Sequence, residues 1–434
     1  MRASLLLPIL MAPFLAAQET PPSLTWGAEL RLRSESWNQL LDHRQDAEDA
    51  RIQYRLRSRL WGAWRPSESL ALRAGLVQEN RHMVRPDAAI HAREVVFETL
   101  ALDWRFHPKG RLSVGRQDVQ RGEGFVLFDG TPLDGSRTSY SNALVAAWEA
   151  PFATVELIGI SNPRKDQYLP RFGEARHPAE VQPLGEWDLQ ATGLYVTGRP
   201  RGSVRLEGYG LQVVAAGDGR AASHPFYRAD RRAVIAGARV QWEPAPRRTF
   251  TAEATAQRGQ EDAVPGLRAR RDLRAWGGYA RFSQTFERAW KPICAVGVTA
   301  LSGDDPSTPD CEGWEPFLSR WPKWSEALVL SEIPEAAVGT ATNLVLAEAE
   351  LRARPRPWLE LKAFWLGLRA LEAPTPGGLY GDGRRRGQIW GARANLDLGR
   401  GFRAHGLLER FEPGTFYGHR DPGYYLRFEV VWRR

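Results

Sequence analysis

The chain has 434 residues, carries 59 Lys and Arg against 51 Asp and Glu for a net charge of +8, and is 43% hydrophobic and 25% charged. That length suffices for one large domain, and after the N-terminus nothing approaches the roughly eighteen unbroken apolar residues of a membrane helix. The basic balance does not point to nucleic acid, because the arginines alternate with apolar residues inside short segments instead of clustering on one helix or loop.

The first eighteen residues, MRASLLLPILMAPFLAAQ, combine one Arg, an apolar run from Leu5 to Leu15 and the small pair Ala16-Ala17. This is a secretory signal over 1–17 with cleavage near Gln18, leaving 18–434 as a single exported domain. Its two thiols, Cys294 and Cys311, are a candidate disulfide across a loop, a pairing that spacing alone does not decide.

The segment 24–35 alternates. Leu24, Trp26, Ala28, Leu30 and Leu32 share one face, and Thr25, Glu29, Arg31 and Arg33 the other. Further strands are predicted near 51–65, 69–82, 93–106, 110–119, 143–150, 153–161, 187–198, 202–213, 232–243, 248–259, 272–286, 291–302, 341–353, 356–369, 386–398, 401–411 and 423–433. The total is eighteen, an even number of segments with the ten-residue length that a tilted strand needs to cross a bilayer.

The connections alternate in length. Those at 65–69, 107–110, 149–152, 198–202, 243–248, 354–357 and 398–401 are short, whereas those at 36–50, 83–92, 120–142, 162–186, 214–231, 260–271, 303–340, 370–385 and 412–422 are long. A soluble sandwich has no reason to do this, and no blade repeat supports a propeller. Tight turns on one side and long loops on the other are the mark of an all-β, transmembrane antiparallel barrel, with the turns in the periplasm and the loops outside. The 17 Trp fit that frame, for Trp26, Trp61, Trp64, Trp104, Trp148, Trp187, Trp242, Trp276, Trp358, Trp390 and Trp432 lie within or near strand ends, where interfacial girdles sit.

Eighteen strands enclose a lumen that wall side chains alone do not fill. The same parity turns Arg31, Arg33, Arg55, Arg57, Arg59, Arg73, Arg105, Arg111, Arg205, Arg281, Arg427 and Arg433 inward, among Glu29, Glu79, Glu207, Glu253 and Glu429. An Arg at the lipid midplane costs about 2–4 kcal/mol, which argues for that assignment. Rows of guanidinium favour anions and offer bidentate contacts to carboxylates. The competing reading is that Arg and Glu pair across neighbouring strands and only stiffen the wall.

Between Gly110 and Asn142 a strand gives way to a loop dense in Gly, Asp and Arg. Four glycines and three acids force several turns, and the loop 120–142 is expected to fold toward the lumen. Within 110–142, Gly115-Arg116-Gln117, Gly122 and the run Asp129-Gly130-Thr131-Pro132-Leu133-Asp134-Gly135-Ser136-Arg137 resemble the GRQ...DG.R signature of the alginate-export family of outer-membrane proteins. The late loop with Ser302-Gly303-Asp304-Asp305 and Arg320-Trp321-Pro322-Lys323-Trp324-Ser325-Glu326 looks like that family too. The resemblance implies a monomeric barrel, held in outer-membrane lipid of a Gram-negative-type cell, with a positively charged throat passing an anionic polysaccharide or oligosaccharide and a periplasmic secretion partner alongside. The family's Phe before Asp-Gly is here Leu133, and Phe128-Asp129-Gly130 lies five residues earlier, so the chain stands nearer the broad family than the dedicated alginate exporter.

Arg116, Gln117, Asp129, Asp134 and Arg137 are therefore the expected throat, with Arg31, Arg33, Arg55, Arg57, Arg59, Arg73 and Arg105 lining the pore. The alternative is that Asp134 and Arg137 pair only with each other. The loop 303–340, with Trp314, Trp321 and Trp324, is placed to cap or plug the lumen or to offer sugar-stacking faces. No HExxH, CxxC or Gly-x-Ser-x-Gly occurs, so the sequence points to no enzyme, metal or cofactor. Two functions remain: a passive, anion-selective porin or exporter, and a loop-plugged, non-conducting barrel serving as a surface binding or structural protein.

Overall fold

The computed structural model describes residues 23–45, 49–90, 95–128, 141–164, 166–170, 172–173, 188–200, 202–216, 229–264, 266, 269–319, 324–335 and 341–434. In chain order the strands are β1 (Ser23–Asn38), β2 (Arg51–Ser67), β3 (Leu70–Arg85), β4 (Ala88–Ile90), β5 (Val95–His107), β6 (Gly110–Gln117), β7 (Ser141–Glu149), β8 (Ala153–Asn162), β9 (Asp188–Gly198) and β10 (Val204–Ala216). They continue as β11 (Arg231–Ala245), β12 (Arg248–Glu261), β13 (Arg271–Thr285) and β14 (Ile293–Leu301); then come helix α1 (Glu326–Glu332), β15 (Leu344–Arg356), β16 (Leu359–Arg369), β17 (Arg385–Gly399), β18 (Phe402–Pro413) and β19 (Gly423–Arg433).

Eighteen of these strands form one closed antiparallel barrel. Each pairs with its chain neighbour, and β1 closes the ring by pairing with both β2 and β19, Glu29 opposite Arg433 and Ser23 opposite Arg65. Closure leaves no unpaired edge, the condition for a sheet in hydrocarbon, where water does not satisfy backbone groups. The extra strand β4 only prolongs the hairpin beyond β3, which pairs directly with β5. The predicted strands all appear, with ends shifted by a few residues; β4 and α1 are the elements the periodicity did not announce.

The alternation is sharp. On β1, Leu24, Trp26, Leu30 and Leu32 are 49–69% exposed to the outside, while Arg31 and Arg33 are at most 1% exposed inside. Aromatics ring the outer face near the short turns (Trp26, Trp64, Trp104, Trp148, Trp242, Trp290, Trp358), and Tyr54, Trp276, Trp390 and Tyr424 ring it toward the long loops. Trp61 departs from its expected girdle position. It has the parity of Arg57 and Arg59 and lies under the Arg433 guanidinium at 4.7 Å, and Trp187 is outside the described residues.

No disulfide joins Cys294 and Cys311, which are both free. Cys294 is opposite Gln284 on β13 and Cys311 bridges Leu273 on the same strand. Eleven residues of strand at about 3.3 Å each separate those heights by roughly 35 Å, far beyond the ~7 Å limit of a disulfide.

The interior divides in two. On β19, β1, β2, β3 and β5 the buried inner side chains are dominated by Arg and Glu, with Gln53, Val77, Val96, Ala101 and Tyr425 among them. On the loop-side halves of β7 to β11 they are Val145, Ile158, Ile160, Leu189, Leu211, Val213 and Ile235, joined in one apolar cluster with Val119, Phe125, Val126 and Leu127 of the β6–β7 loop. These positions of inward parity are dry, because residues of the β6–β7 loop cover them.

Candidate solute passage

Two connections fold into the barrel and bind each other. The backbone N–H of Phe128 donates to the carbonyl of Leu318 at 3.2 Å, the Ser319 hydroxyl donates to the Phe125 carbonyl at 2.7 Å, and the Phe125 ring stacks on Trp314 at 5.2 Å. The wall grips this pair from outside. Gln257 on β12 donates to the Glu315 carbonyl and accepts from its N–H, at 2.7 and 3.2 Å. Arg231 bridges Glu261 and Glu315, and Arg271 bridges Glu261 and Asp304. Trp314, only 4% exposed, is a packing residue and offers no face to a sugar.

Helix α1 is docked by β18. The buried Glu409 carboxylate accepts from the Ser325 hydroxyl and the Ala327 N–H, each at 2.7 Å, satisfying a free donor of the helix N-terminus. Ser325 itself caps the helix by accepting from Leu328 N–H, and Glu326 pairs with Arg427 on β19 at 2.9 Å.

The arginine rows are almost entirely paired. Arg31 meets Glu79 at 2.9 Å, Arg33 meets Glu429, Arg55 meets Glu35 and Glu79, Arg57 meets Glu29, and Arg59 grips Glu98 with two nitrogens. Arg427 reaches Glu35 at 3.0 Å. Six guanidiniums thus face the five carboxylates Glu29, Glu35, Glu79, Glu98 and Glu429, all side chains largely buried. Buried pairs contribute little net stability, because desolvation offsets attraction, but mismatching them is costly. Their effect is on register: Arg33 with Glu429 and Arg427 with Glu35 tie positions 396 and 392 residues apart, where the first strand must meet the last.

The throat residues separate. Arg116 has the parity of Leu112 and Val114, not of Arg111 and Ser113, and lies on the outer side of the wall. Its guanidinium makes two 2.7 Å bonds to Asp166 and one of 3.0 Å to Asn142, whose neighbour on that face is the exposed Leu144. The loop bearing Asp166 is laid along the wall through Phe172, which pairs with Val95, and Tyr168, which bonds Ser161. Arg116 is a buried anchor there, corrected from a throat cation. The strand position before it needs glycine, since Gly115 has φ +126 and a Cβ would stand 2.2 Å from the Leu100 carbonyl oxygen. Gln117 faces inward, accepting from Ser113 and donating to the Ala143 carbonyl. Asp129, Asp134 and Arg137 lie outside the described residues, as do Trp321 and Lys323.

Two lumenal cavities are bordered by described residues. One, of about 510 Å³, lies between the inward loops and the β13–β18 wall, bordered by Phe128, Trp324, Phe364, Arg281, Lys362 and Glu350. Its charges are mutually paired, Arg281 with Glu348 at 2.9 Å and Lys362 with Glu350 at 2.8 Å. The other, of about 410 Å³, is on the turn side of β2, β3, β5 and β6, where Arg65, Arg73, Arg105, Arg111 and Arg121 outnumber Glu68, Asp103, Asp118 and Glu156. Arg73 is held by Asp103 and Arg121 by Glu156, at 2.5 and 2.6 Å. Arg105 is exposed and makes no ion pair among the described residues, and Arg111 is 62% exposed with Glu156 only at 3.8 Å. Parity signalled these two; which arginines stay unneutralised was not readable. Among the described residues no cluster of His, Cys, Asp or Glu is placed to hold a metal.

Residues 189–367 match the family model described as alginate export. Across nearly the whole chain the fold is similar to solved structures: Pseudomonas aeruginosa OccK2 (OpdF) in complex with glucuronate (12% identity, 94% of this chain and 96% of that one, TM-score 0.55), and P. aeruginosa OpdO (12%, 95% and 97%, 0.58). Acinetobacter baumannii OccAB4 is similar as well (11%, 96% and 99%, TM-score 0.56). No curated protein matches the sequence. At these identities the likeness is one of fold, and it agrees with the closed barrel; residues 189–367 are similar to the alginate-export family, and the chain is a porin-like barrel of the outer membrane.

Proposed function

We propose that this barrel is a passive diffusion channel for small carboxylated solutes, acidic sugars and their short oligomers, contacted by Arg105 and Arg111 on the periplasmic side of the inward loops. The observation that carries this reading is the 410 Å³ cavity where exposed guanidiniums exceed acids, whereas the arginine rows at mid-height are neutralised by their own carboxylates. A guanidinium without a carboxylate partner is a ready bidentate site for one. The two inward loops favour small solutes over a freely passing polymer, and the glucuronate held by OccK2 (OpdF) is in keeping with that class. A secretion partner in the periplasm and a monomeric state belong to the same proposal.

The second reading, a plugged binding or structural barrel, draws on the mutual pairing of residues 118–128 with 302–319. Conductance in planar bilayers distinguishes the two. The channel reading expects openings whose reversal potential under a KCl gradient is anion-selective, block by glucuronate, and loss of both in Arg105→Ala/Arg111→Ala. A silent barrel, or cation selectivity unchanged by those substitutions, sinks it.

A further inference from the structure

The outer faces of β11, β12 and β13 are apolar from Trp242, Phe250 and Phe282 near the turns up to Val234, Ala256 and Trp276. One outward position beyond, all three strands carry an exposed arginine: Arg232, Arg258 and Arg274. Arg258 stands directly opposite Arg274, and Arg232 is one outward pair above, opposite Gln260. Like charges facing each other across a strand pair destabilise a sheet, so this arrangement asks for an anion.

The protein supplies little of it. Arg274 is held by Asp272 at 3.3 Å and Asp310 at 3.0 Å. Arg232 and Arg258 make no ion pair or side-chain hydrogen bond among the described residues. At the same height on the inner face the contrast is plain, because Arg231 and Arg271 share Glu261 at 2.6 and 3.0 Å.

Height identifies the missing anion. From Phe250 to Arg258 is eight residues of β12, roughly 27 Å of strand and about 20 Å of vertical rise at a ~40° tilt, which sets the arginines near the upper edge of a ~25 Å apolar band. That edge faces the side of the long loops, where the headgroup phosphates of the outer leaflet lie. Below it the wall is hollowed by a depression of about 870 Å³ lined by Leu194, Leu206, Gly208, Gly210, Ala252 and Ala254. Phosphate above and acyl chain below are the two chemistries that one amphiphile carries.

We propose that Arg232, Arg258 and Arg274 form a docking site for a phosphorylated glycolipid of the outer leaflet, its phosphate bridging the guanidiniums and an acyl chain filling the depression beneath. The site is independent of conduction, so it stands or falls apart from the channel reading.

The test uses the full barrel in phosphatidylcholine nanodiscs doped with diphosphorylated lipid A, with retained lipid counted by native mass spectrometry. Retention is expected for the wild type and to fall about tenfold or more in Arg232→Gln/Arg258→Gln, with partial recovery in Arg232→Lys/Arg258→Lys. Dephosphorylated lipid A is expected at background, and millimolar inorganic phosphate is expected not to displace the lipid. Arg410→Gln, at another exposed outer position, is expected to change nothing. Unchanged retention in the double Gln variant overturns the proposal. So does equal loss in Arg410→Gln, equal retention of dephosphorylated lipid, or displacement by free phosphate, which would indicate a soluble-anion site. Heat-modifiable migration on gels confirms that each variant is folded.

Discussion

Arg116→Ala separates an anchor from a pore residue. The substitution removes two 2.7 Å bonds to Asp166, one to Asn142 and one of 3.0 Å to the Phe97 carbonyl, and leaves Asp166, itself 1% exposed, as a buried charge without its partner. Breaking a buried pair on one side costs about 3–5 kcal/mol, equivalent to a 10²- to 10³-fold or larger shift at ~1.4 kcal/mol per decade. The cost falls on docking of the loop around Asp166, because the other strand pairings of the wall do not use this side chain. The expected phenotype is rapid proteolysis within that loop and a lowered unfolding temperature, with reversal potential and conductance as in the wild type. Arg116→Ala/Asp166→Ala should recover part of the loss, since removing both charges removes the stranded one. A changed ion selectivity in Arg116→Ala with the loop still protected would refute the outward placement and return this residue to the throat.

Three other outcomes follow from the same reasoning. Glu409→Ala removes the acceptor of the Ser325 hydroxyl and the Ala327 N–H, about 1–3 kcal/mol of α1 docking; larger or noisier single-channel openings are expected, and unchanged openings would show that α1 is held elsewhere. Glu35→Gln weakens acceptance from Arg55, Arg427, Gln53 and Tyr425 at the seam of β1 and β19; a lower midpoint of urea unfolding together with greater anion selectivity is expected, and an unmoved midpoint counts against the seam role. His43, in the β1–β2 loop against Phe411 and Tyr417, has its pKa pushed down from 6.5 to about 4 by burial. The unfolded chain therefore binds the proton first, and stability should be full above pH 6.5 and decline by up to about 3 kcal/mol as pH falls to 4, a slope that His43→Phe should flatten in pH-dependent melting.

What the sequence determined by itself was the wall. A period of two is a local property, so Leu30 and Arg31 declared their faces without knowledge of any partner, and alternating loop lengths declared which ends were turns. The contents of the lumen were decided only by tertiary structure. That Arg31, Arg33, Arg55 and Arg57 would meet acids depended on strands closing around the ring; Arg33 with Glu429 is the extreme case. That Leu211 and Ile235 would be dry on their inner face depended on Phe125 and Val126 arriving from a distant loop. Arg116 shows the limit most plainly. Motif and composition marked it, but the backbone at Gly115 and the arrival of Asp166 from the β8–β9 loop fixed which side of the wall it serves, and charge pairing over such distances leaves no period in the chain to be read.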